Sequence, residues 1–554
     1  LTYWEPIEGV FLENYAVVED LVVTDEENGD RTYDFTLYED LAYSDGSPIT
    51  AWDYAFSVLL RMSPELEEIG GAGEPMDFLA GSGDYRNGSK TVLTGVRVKG
   101  DHEITFTLDH KTRPFFFEMG LLGFCPYPVT EVAPGVRVTD QGEGVALENR
   151  NPSVTQPVFS ADLLRRSILD EDNGYMSHPM VSSGPYRLLS FNGTTAEFER
   201  NPFYPGDADG NFPTVERLTF TVTDNARGIE ALRSGEIDLL NRVTSADAAS
   251  AGITLTKNED FLLSRYARSG LAFLSFSCEK PALSSEYVRQ AIAWCLDRDE
   301  VAERYTGSFG TRVDGCFGLG QWMYRLADGS AEPPVDTEDE EERQAELEKW
   351  NTVSLDGLTA YTADVETARM LLERDGWLPG EDGIRQKTVN GERLSLDLTL
   401  VCPDSTGIGS ILEECFIPNL AAVGIRLTIR ELAPKKLLET AYAEGERDAD
   451  LIFMATNFGE PFDLAAYFSP DSRWSVSRQQ DKELISLAEK LNTTEPGDVL
   501  GYVLRWVAFQ ERFNELLPLL PIYSNECFDF YRDDLYGYAI EEYSSWAQAI
   551  VAVQ

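Results

Sequence analysis

Between Leu394 and Ile429 the spacing of apolar residues changes period twice. Leu394, Leu396, Leu398 and Leu400 alternate strictly, as a strand with one buried face does. Ile408, Ile411, Leu412 and Cys415 then recur at helical spacing, and Ile425, Leu427 and Ile429 alternate again behind a Gly424 turn. Strand, helix and strand in that order resemble a βαβ unit. The apolar run from Ala449 to Met454 fits a short parallel strand buried on both faces. Helical spacing also joins Val288, Ala291, Ile292, Cys295 and Leu296, then Leu484, Leu487 and Leu491, then Val499, Val503, Trp506 and Phe513. The second half of the chain is therefore read as α/β.

The first half is mixed as well. Val22, Val23 and Thr24 and the alternating Tyr33, Phe35 and Leu37 flank Asn28-Gly29, a tight-turn pair, which predicts a hairpin. After the turn-forming Ser44-Asp45-Gly46-Ser47-Pro48, Thr50 and Asp53 have the spacing of a capping box. The helix it opens carries Ala55, Val58, Leu59 and Met62 on one stripe. Ile104, Phe106 and Leu108 predict a strand, and Leu218, Phe220 and Val222 another. A short helix with Ile229 and Leu232 ends at Gly235, and a strand covers 237–240. Residues 328–348 are acidic, open with Pro333-Pro334 and lack apolar content, which predicts an exposed insertion loop.

At 554 residues the chain exceeds one ordinary domain, so two or three lobes are expected. Lys and Arg total 46 against 95 Asp and Glu, a net charge of −49. Phosphate backbones and anionic membranes need a basic face, so the charge disfavours nucleic acid and an anionic membrane surface as partners. The acidity reads first as a solvating surface and second as a field that attracts basic solutes. No apolar run is long enough to span a membrane. The chain opens on Leu1-Thr2-Tyr3-Trp4 without a basic and then apolar leader, so any signal peptide is read as removed or never included.

The search for catalytic chemistry comes back empty. The seven cysteines, Cys125, Cys278, Cys295, Cys316, Cys402, Cys415 and Cys527, are dispersed and mostly in apolar contexts, so they read as buried free thiols. His102, His110 and His178 form no zinc pattern. Gly318-Leu319-Gly320 lacks the rest of a dinucleotide fingerprint, and Gly70-Gly71-Ala72-Gly73 lacks the Lys and Ser/Thr of a P-loop. Asp207, Asp209 and Asn211 begin like a calcium loop, but Phe212 and Leu218 occupy the positions of its glycine and closing glutamate. No cofactor is implied.

Four separated segments carry a family resemblance. The run from Tyr33 to Asp53 is similar to a strand followed by S-D-G-x-P-x-T-A-x-D and a helix. Ser183-Gly184-Pro185-Tyr186, continuing to Glu199-Arg200-Asn201-Pro202-Phe203-Tyr204, looks like G-T-G-P-Y followed by E-R-N-P-x-Y. Ile229 to Asp238, with Val288-Arg289-Gln290-Ala291-Ile292 and Asp297-Arg298 downstream, resembles A-L-x-x-G-E-I-D and V-R-Q-A-I-x-x-A-I-D-R. Ala368 to Trp377 resembles a helix ending in G-W, and Leu520-Pro521-Ile522-Tyr523 a late segment returning through a hinge. In this order, over 33 to about 540, they resemble the family 5 extracellular solute-binding proteins, which serve oligopeptide, dipeptide and nickel ABC importers.

The resemblance implies a bilobal α/β periplasmic-binding-protein-like fold of type II with an extra subdomain on lobe I. Carried over, residues 1–178 form that subdomain, 179–270 with 528–554 lobe I, and 271–527 lobe II. Hinge strands are expected near 271–277 and 521–528, with ligand between the lobes and closure by a hinge motion. Only 32 residues precede Tyr33, fewer than in the family, so part of the leading edge of lobe I and of one cleft wall is expected to be missing. A monomer is implied, outside the cytoplasm at the cell surface or in the periplasm, lipid-anchored through a removed N-terminal segment. It would hand a peptide or other small solute to an ABC permease. The alternatives are an oligosaccharide or other solute in the same fold, and a hydrolase. Scarce histidines disfavour nickel and haem.

The same resemblance implies the ligand-binding residues: Asn457, Phe458, Glu460, Asp463, Trp474, Ser275, Tyr523 and Asn525. Family peptide binders carry an aspartate that pairs with the ligand's α-ammonium in an A-D-Y-x-E/D-P-like segment. Aligned on Glu460-Pro461, that position holds Asn457, which has no charge. Glu460 and Asp463 are the substitutes at hand, each also suited to a structural role in the turn.

Overall fold

The computed structural model describes residues 1–5, 9–223, 225–258, 260–335, 337, 339–404, 406–469, 472, 474–540 and 544–554, with the backbone alone at 225 and 226. It forms two compact units, one of 1–224 with 535–539 and 545–554, the other of 225–534 with 540–544. Their boundary falls at neither of the divisions expected at 178/179 and 270/271.

In the first unit the predicted hairpin forms between Val18–Asp25 and Arg31–Leu37, and Gly29 takes φ +92°, which suits glycine. Glu103–Leu108 and Val96–Val98 complete a four-stranded antiparallel sheet. Alternation turns Tyr33, Phe35, Leu37, Phe106 and Leu108 into one core. The helix Ala51–Arg61 packs Ala55, Val58 and Leu59 into the same core. Its capping box is formed: the Thr50 N–H and hydroxyl both donate to the Asp53 carboxylate at 2.9 Å. Arg217–Thr221 is the outer strand of a separate three-stranded sheet, and Val222 falls just beyond it, 78% exposed.

The second unit is organised on one strand, Leu519–Arg532, which is 14 residues long. Its second half pairs antiparallel with Leu239–Val243 and Phe261–Ala267, its first half with Gly270–Phe276 and Gly310–Arg312. Leu451–Asn457 lies antiparallel beside Gly270–Phe276. Asp397–Pro403 is parallel to it, and Arg426–Leu432 is parallel to Asp397–Pro403. The expected βαβ unit is thus present, with helices Ile408–Cys415 and Ile417–Ala422 between its strands.

Two cores hang on the long strand. Leu520 and Ile522 belong to the larger, with Leu274, Phe276, Val288, Ile292, Leu400 and Leu412. Phe528 and Phe530 belong to a smaller one with Leu232, Leu240, Val243 and Phe261. The chain crosses between the cores at 267–270 and at 523–526.

Three sequence readings need correction. The leucine alternation from 394 to 400 is not one strand: Leu394 lies in Glu392–Ser395 of a small sheet, while Leu398 and Leu400 lie in Asp397–Pro403. Period two reports extended backbone and says nothing of its partner, and at the break the Leu396 N–H turns to the Arg385 carbonyl. The helix at Val288 ends at Ala293, so Cys295 and Leu296 are buried beyond it. The acidic stretch is not all loop: Glu340–Trp350 is a helix, exposed along most of its length. Glu, Arg, Gln, Ala, Leu and Lys are strong helix formers, the first-turn glutamates complement the helix dipole, and Asp339 accepts from the N–H groups of Glu341 and Glu342. Residues 336 and 338 of that stretch lie outside the described residues.

The two arginines of the V-R-Q-A-I and D-R segments explain those motifs. Arg289 is buried and donates to the carbonyls of Leu283, Ser284, Leu516 and Leu517. Arg298 is buried too and donates to the carbonyls of Val313, Tyr361 and Pro521 and to the Asp314 carboxylate. Each ties together backbone carbonyls from separate segments of the chain. Arg298→Met should lower unfolding free energy by about 3 kcal/mol, because it strands three buried acceptors and leaves the Asp314 carboxylate only its 3.4 Å ion pair with Arg312. Urea denaturation checks this, and a loss below about 1 kcal/mol would show that water replaces the guanidinium.

Candidate ligand-binding site

The paired strands Gly270–Phe276 and Leu451–Asn457 have two unlike faces. Ala272, Leu274, Phe276, Leu451 and Phe453 enter the larger core. On the other face Leu271 lies opposite Thr456 and Phe273 opposite Met454, and these four line a small cavity that opens to solvent. Phe458, Tyr467, Tyr442 and Trp474 form its aromatic wall. Tyr442 meets Trp474 edge-on at 5.6 Å, and Phe458 meets Tyr467 edge-on at 5.7 Å. Trp474 is 48% exposed, an indole left open to solvent at a cavity wall. Among the described residues, no carboxylate, histidine, lysine or arginine is one of the lining side chains. The one thiol, Cys316, is held above its ordinary pKa by burial, so it is protonated and unreactive. An apolar aromatic recess without an acid, base or nucleophile suits holding a ligand.

The strand edge beside the cavity is open. Leu451 and Ile452 pair with Asp397–Pro403, but beyond Ile452 the only ladder partner among the described residues is Gly270–Phe276. Ala455, on that stretch, is exposed and lines the cavity.

Of the residues expected at the site, Phe458 and Trp474 line the cavity. Asn457 is exposed between two lining residues, Thr456 and Phe458, and its amide oxygen accepts from Arg268 Nε. Asn525, on the long strand, accepts from Arg268 Nη1 at 3.2 Å. Arg268 thus joins these two asparagines, and no sequence pattern marks it. Ser275 shares the strand face of Leu271 and Phe273 but is wholly buried opposite Leu519, its hydroxyl without a hydrogen-bond partner among the described residues. Tyr523 belongs to the larger core, 6.0 Å from the Tyr305 ring, and burial holds its phenol protonated. Asp463 caps the helix Leu464–Phe468, accepting from the Ala465 and Ala466 N–H groups and from Asn492 Nδ2 at 2.6 Å.

Glu460 is half-buried, and its Oε2 is enclosed with no hydrogen-bond partner among the described residues. Burial pushes its pKa up to about 8, against the opposing pull of the Phe462 N–H and the Trp322 indole. Neither Glu460 nor Asp463 lines the cavity. Six of the seven cysteines are buried and Cys125 is exposed. In the other unit Asp30, Asp109 and His110 converge, but their bonds tie turns: Asp30 accepts from the His110 N–H at 2.9 Å and Asp109 from the Lys111 N–H.

The model of the bacterial extracellular solute-binding proteins, family 5, matches residues 16–475. The chain belongs to this family. It is 21% identical over 514 residues to the oligopeptide-binding protein OppA of Lactococcus lactis subsp. lactis, covering 89% of this chain and 74% of that one. Among solved structures it is similar to lactococcal OppA complexed with an endogenous peptide in the closed conformation, with a TM-score of 0.70, 16% identity and coverage of 99% and 92%. It is also similar to NikZ from Campylobacter jejuni in complex with Ni(L-His), with a TM-score of 0.66, 14% identity and coverage of 100% and 92%. The α/β periplasmic-binding-protein-like fold expected from the sequence is therefore the fold of the chain. No helix among the described residues is long and apolar enough to cross a membrane.

The Glu460 carboxyl gives stability a pH dependence. The folded family member keeps a proton that the unfolded chain, with a pKa near 4.5, releases, so stability is full below that value and falls as pH rises toward about 8. Glu460→Gln should remove this fall and leave the variant more stable than wild type by roughly 3 kcal/mol at pH 7. Urea unfolding at pH 5 and pH 8 compares the two slopes. Parallel slopes would show the carboxyl to be ionised in the fold.

Proposed function

We propose that this solute-binding protein is the receptor of an ABC importer, and that its solute is a peptide, which it hands to a membrane permease unaltered. The observation that carries the reading is the open edge of the Leu451–Asn457 strand beside an aromatic cavity. An extended peptide satisfies such an edge through its own N–H and C=O groups, whatever its side chains, and alternate side chains drop into the recess. The names of the lactococcal relative and of its peptide complex support the same solute class. The uncharged lining, with a protonated buried thiol, supports release without turnover.

The exposed Trp474 ring beside Tyr442 favours a second reading, since a flat open indole also stacks on sugar rings. Fold does not choose between the two. Incubating the purified protein with a pool of random pentapeptides and, separately, with maltopentaose and cellopentaose, then desalting and weighing what stays bound, separates them. Peptides should be retained at unchanged mass, and backbone N-methylation at alternate residues should weaken retention by about tenfold. Retention of the sugars alone would move the reading to saccharides. Fragments accumulating in proportion to the protein would make it a hydrolase.

A further inference from the structure

We propose that Arg268, at the crossing between the two cores of the second unit, receives a carboxylate of the bound peptide. This rests on the peptide reading above and adds the charge that the ligand must carry.

Arg268 is half-buried, and among the described residues no carboxylate oxygen lies within salt-bridge distance of it. That is unusual company for this chain, where acidic residues outnumber basic ones 95 to 46. Three other arginines with little exposure in the same unit have an acid: Arg298 has Asp314, Arg385 has Glu373 and Arg447 has Glu279. The acceptors of Arg268 are all neutral, namely Asn457 Oδ1, Asn525 Oδ1 at 3.2 Å and the Thr456 carbonyl at 3.0 Å. They fix the guanidinium plane from three sides without neutralising it. Of its five N–H groups, one on each terminal nitrogen is left over.

Arg242 acts on Arg268 as a like charge, and the neighbouring Tyr523 and Cys527 are held protonated by burial. The acid of this neighbourhood, Asp529, accepts from the Arg242 N–H at 2.8 Å and the Tyr266 hydroxyl at 3.1 Å and makes no ion pair with Arg268. A desolvated cation without a counter-charge is costly unless something supplies one. Arg289 shows the contrast: it too meets only carbonyls, but it is 1% exposed and no ligand can reach it. Arg268 reaches solvent at the end of the strand whose Ala455, Thr456 and neighbouring Phe458 line the cavity. A ligand carboxylate there takes two charge-assisted bonds from the free N–H groups, a geometry that guanidinium suits. Neutral amides at 457 and 525 are what the site requires, because an aspartate at either position would occupy the guanidinium itself.

The carboxylate can be the peptide's C-terminus or an acidic side chain. Random pentapeptide pools of Ala, Leu, Phe and Gln separate the sources in three forms: free acid, C-terminal amide, and amide with a central Glu. Equilibrium dialysis with mass-spectrometric readout gives affinities. Wild type should lose at least about tenfold on amidation, or regain that factor when the central Glu is added to the amide. The discrimination should vanish in Arg268→Gln, and also in Asn457→Asp, which keeps the arginine and its anchoring and answers if the first variant fails to fold. Equal binding of all three pools by wild type, or discrimination that survives in Asn457→Asp, overturns the assignment and leaves the peptide reading standing. Retention of no pool overturns the peptide reading, and the assignment with it.

Discussion

The second unit depends on burying the strand Leu519–Arg532 along almost all of its 14 residues. A strand buried on both faces must have its whole backbone paired, because an unpaired N–H or C=O inside costs about as much as a lost hydrogen bond. Four other strands, two on each half, supply partners along its length, with Gly310–Arg312 reaching only residues 523–525. Pro521 has no N–H to give, and it stands at the register shift where Ala272 faces Tyr523 and Phe273 faces Pro521. A proline in a central strand is tolerated at such an irregularity. The Pro521 carbonyl is in turn taken by Arg298. Pairing, bulge and arginine together allow one continuous strand to serve two cores.

The candidate site follows from the same sheet. Because side chains alternate, the strands that fill the larger core with Leu274 and Phe453 necessarily turn Phe273 and Met454 the other way. Where a helix or loop covers that face, as at the buried Ser275, it is core. Where cover stops, the apolar face is open and aromatic rings wall it. The strand end is left half-paired for the same reason: its parallel neighbour Asp397–Pro403 engages only Leu451 and Ile452. An open edge is a hazard in a protein without a use for it, since it invites pairing with another chain. Here it lies where a ligand would.

How much of this could be read from the sequence depends on the range of each interaction. The Thr50–Asp53 box, the Asn28-Gly29 turn and the helix at Ile408 are local, and their residues carry the whole instruction. The family signatures at Arg289 and Arg298 were visible as letters, but their role is not, because their acceptors include carbonyls more than 200 residues away. Arg268 is the extreme case. It is a single arginine between two strands, with partners 189 and 257 residues distant, and no pattern marks it. The helix Glu340–Trp350 was missed for the opposite reason: its signal is propensity and a cap, without the apolar stripe that announces a packed helix. Glu460 and Asp463 show that position near a site does not assign a role. One carboxylate caps a helix and the other is enclosed away from the cavity.

The net charge of −49 opposes the approach of an anionic ligand, yet it has little say at contact distance. Exposed charges more than a Debye length apart, about 8 Å at physiological ionic strength, are largely screened. They govern approach, and an anionic peptide would approach more slowly at low salt than at high. What a ligand meets on arrival is the local set, an uncharged aromatic recess and a guanidinium whose three acceptors are neutral. In a partly desolvated site that single charge acts through a lower effective dielectric than any surface glutamate does. The sign of the ligand is thus set by which charges stand within hydrogen-bond reach, and at the crossing between the two cores the charge in reach is positive.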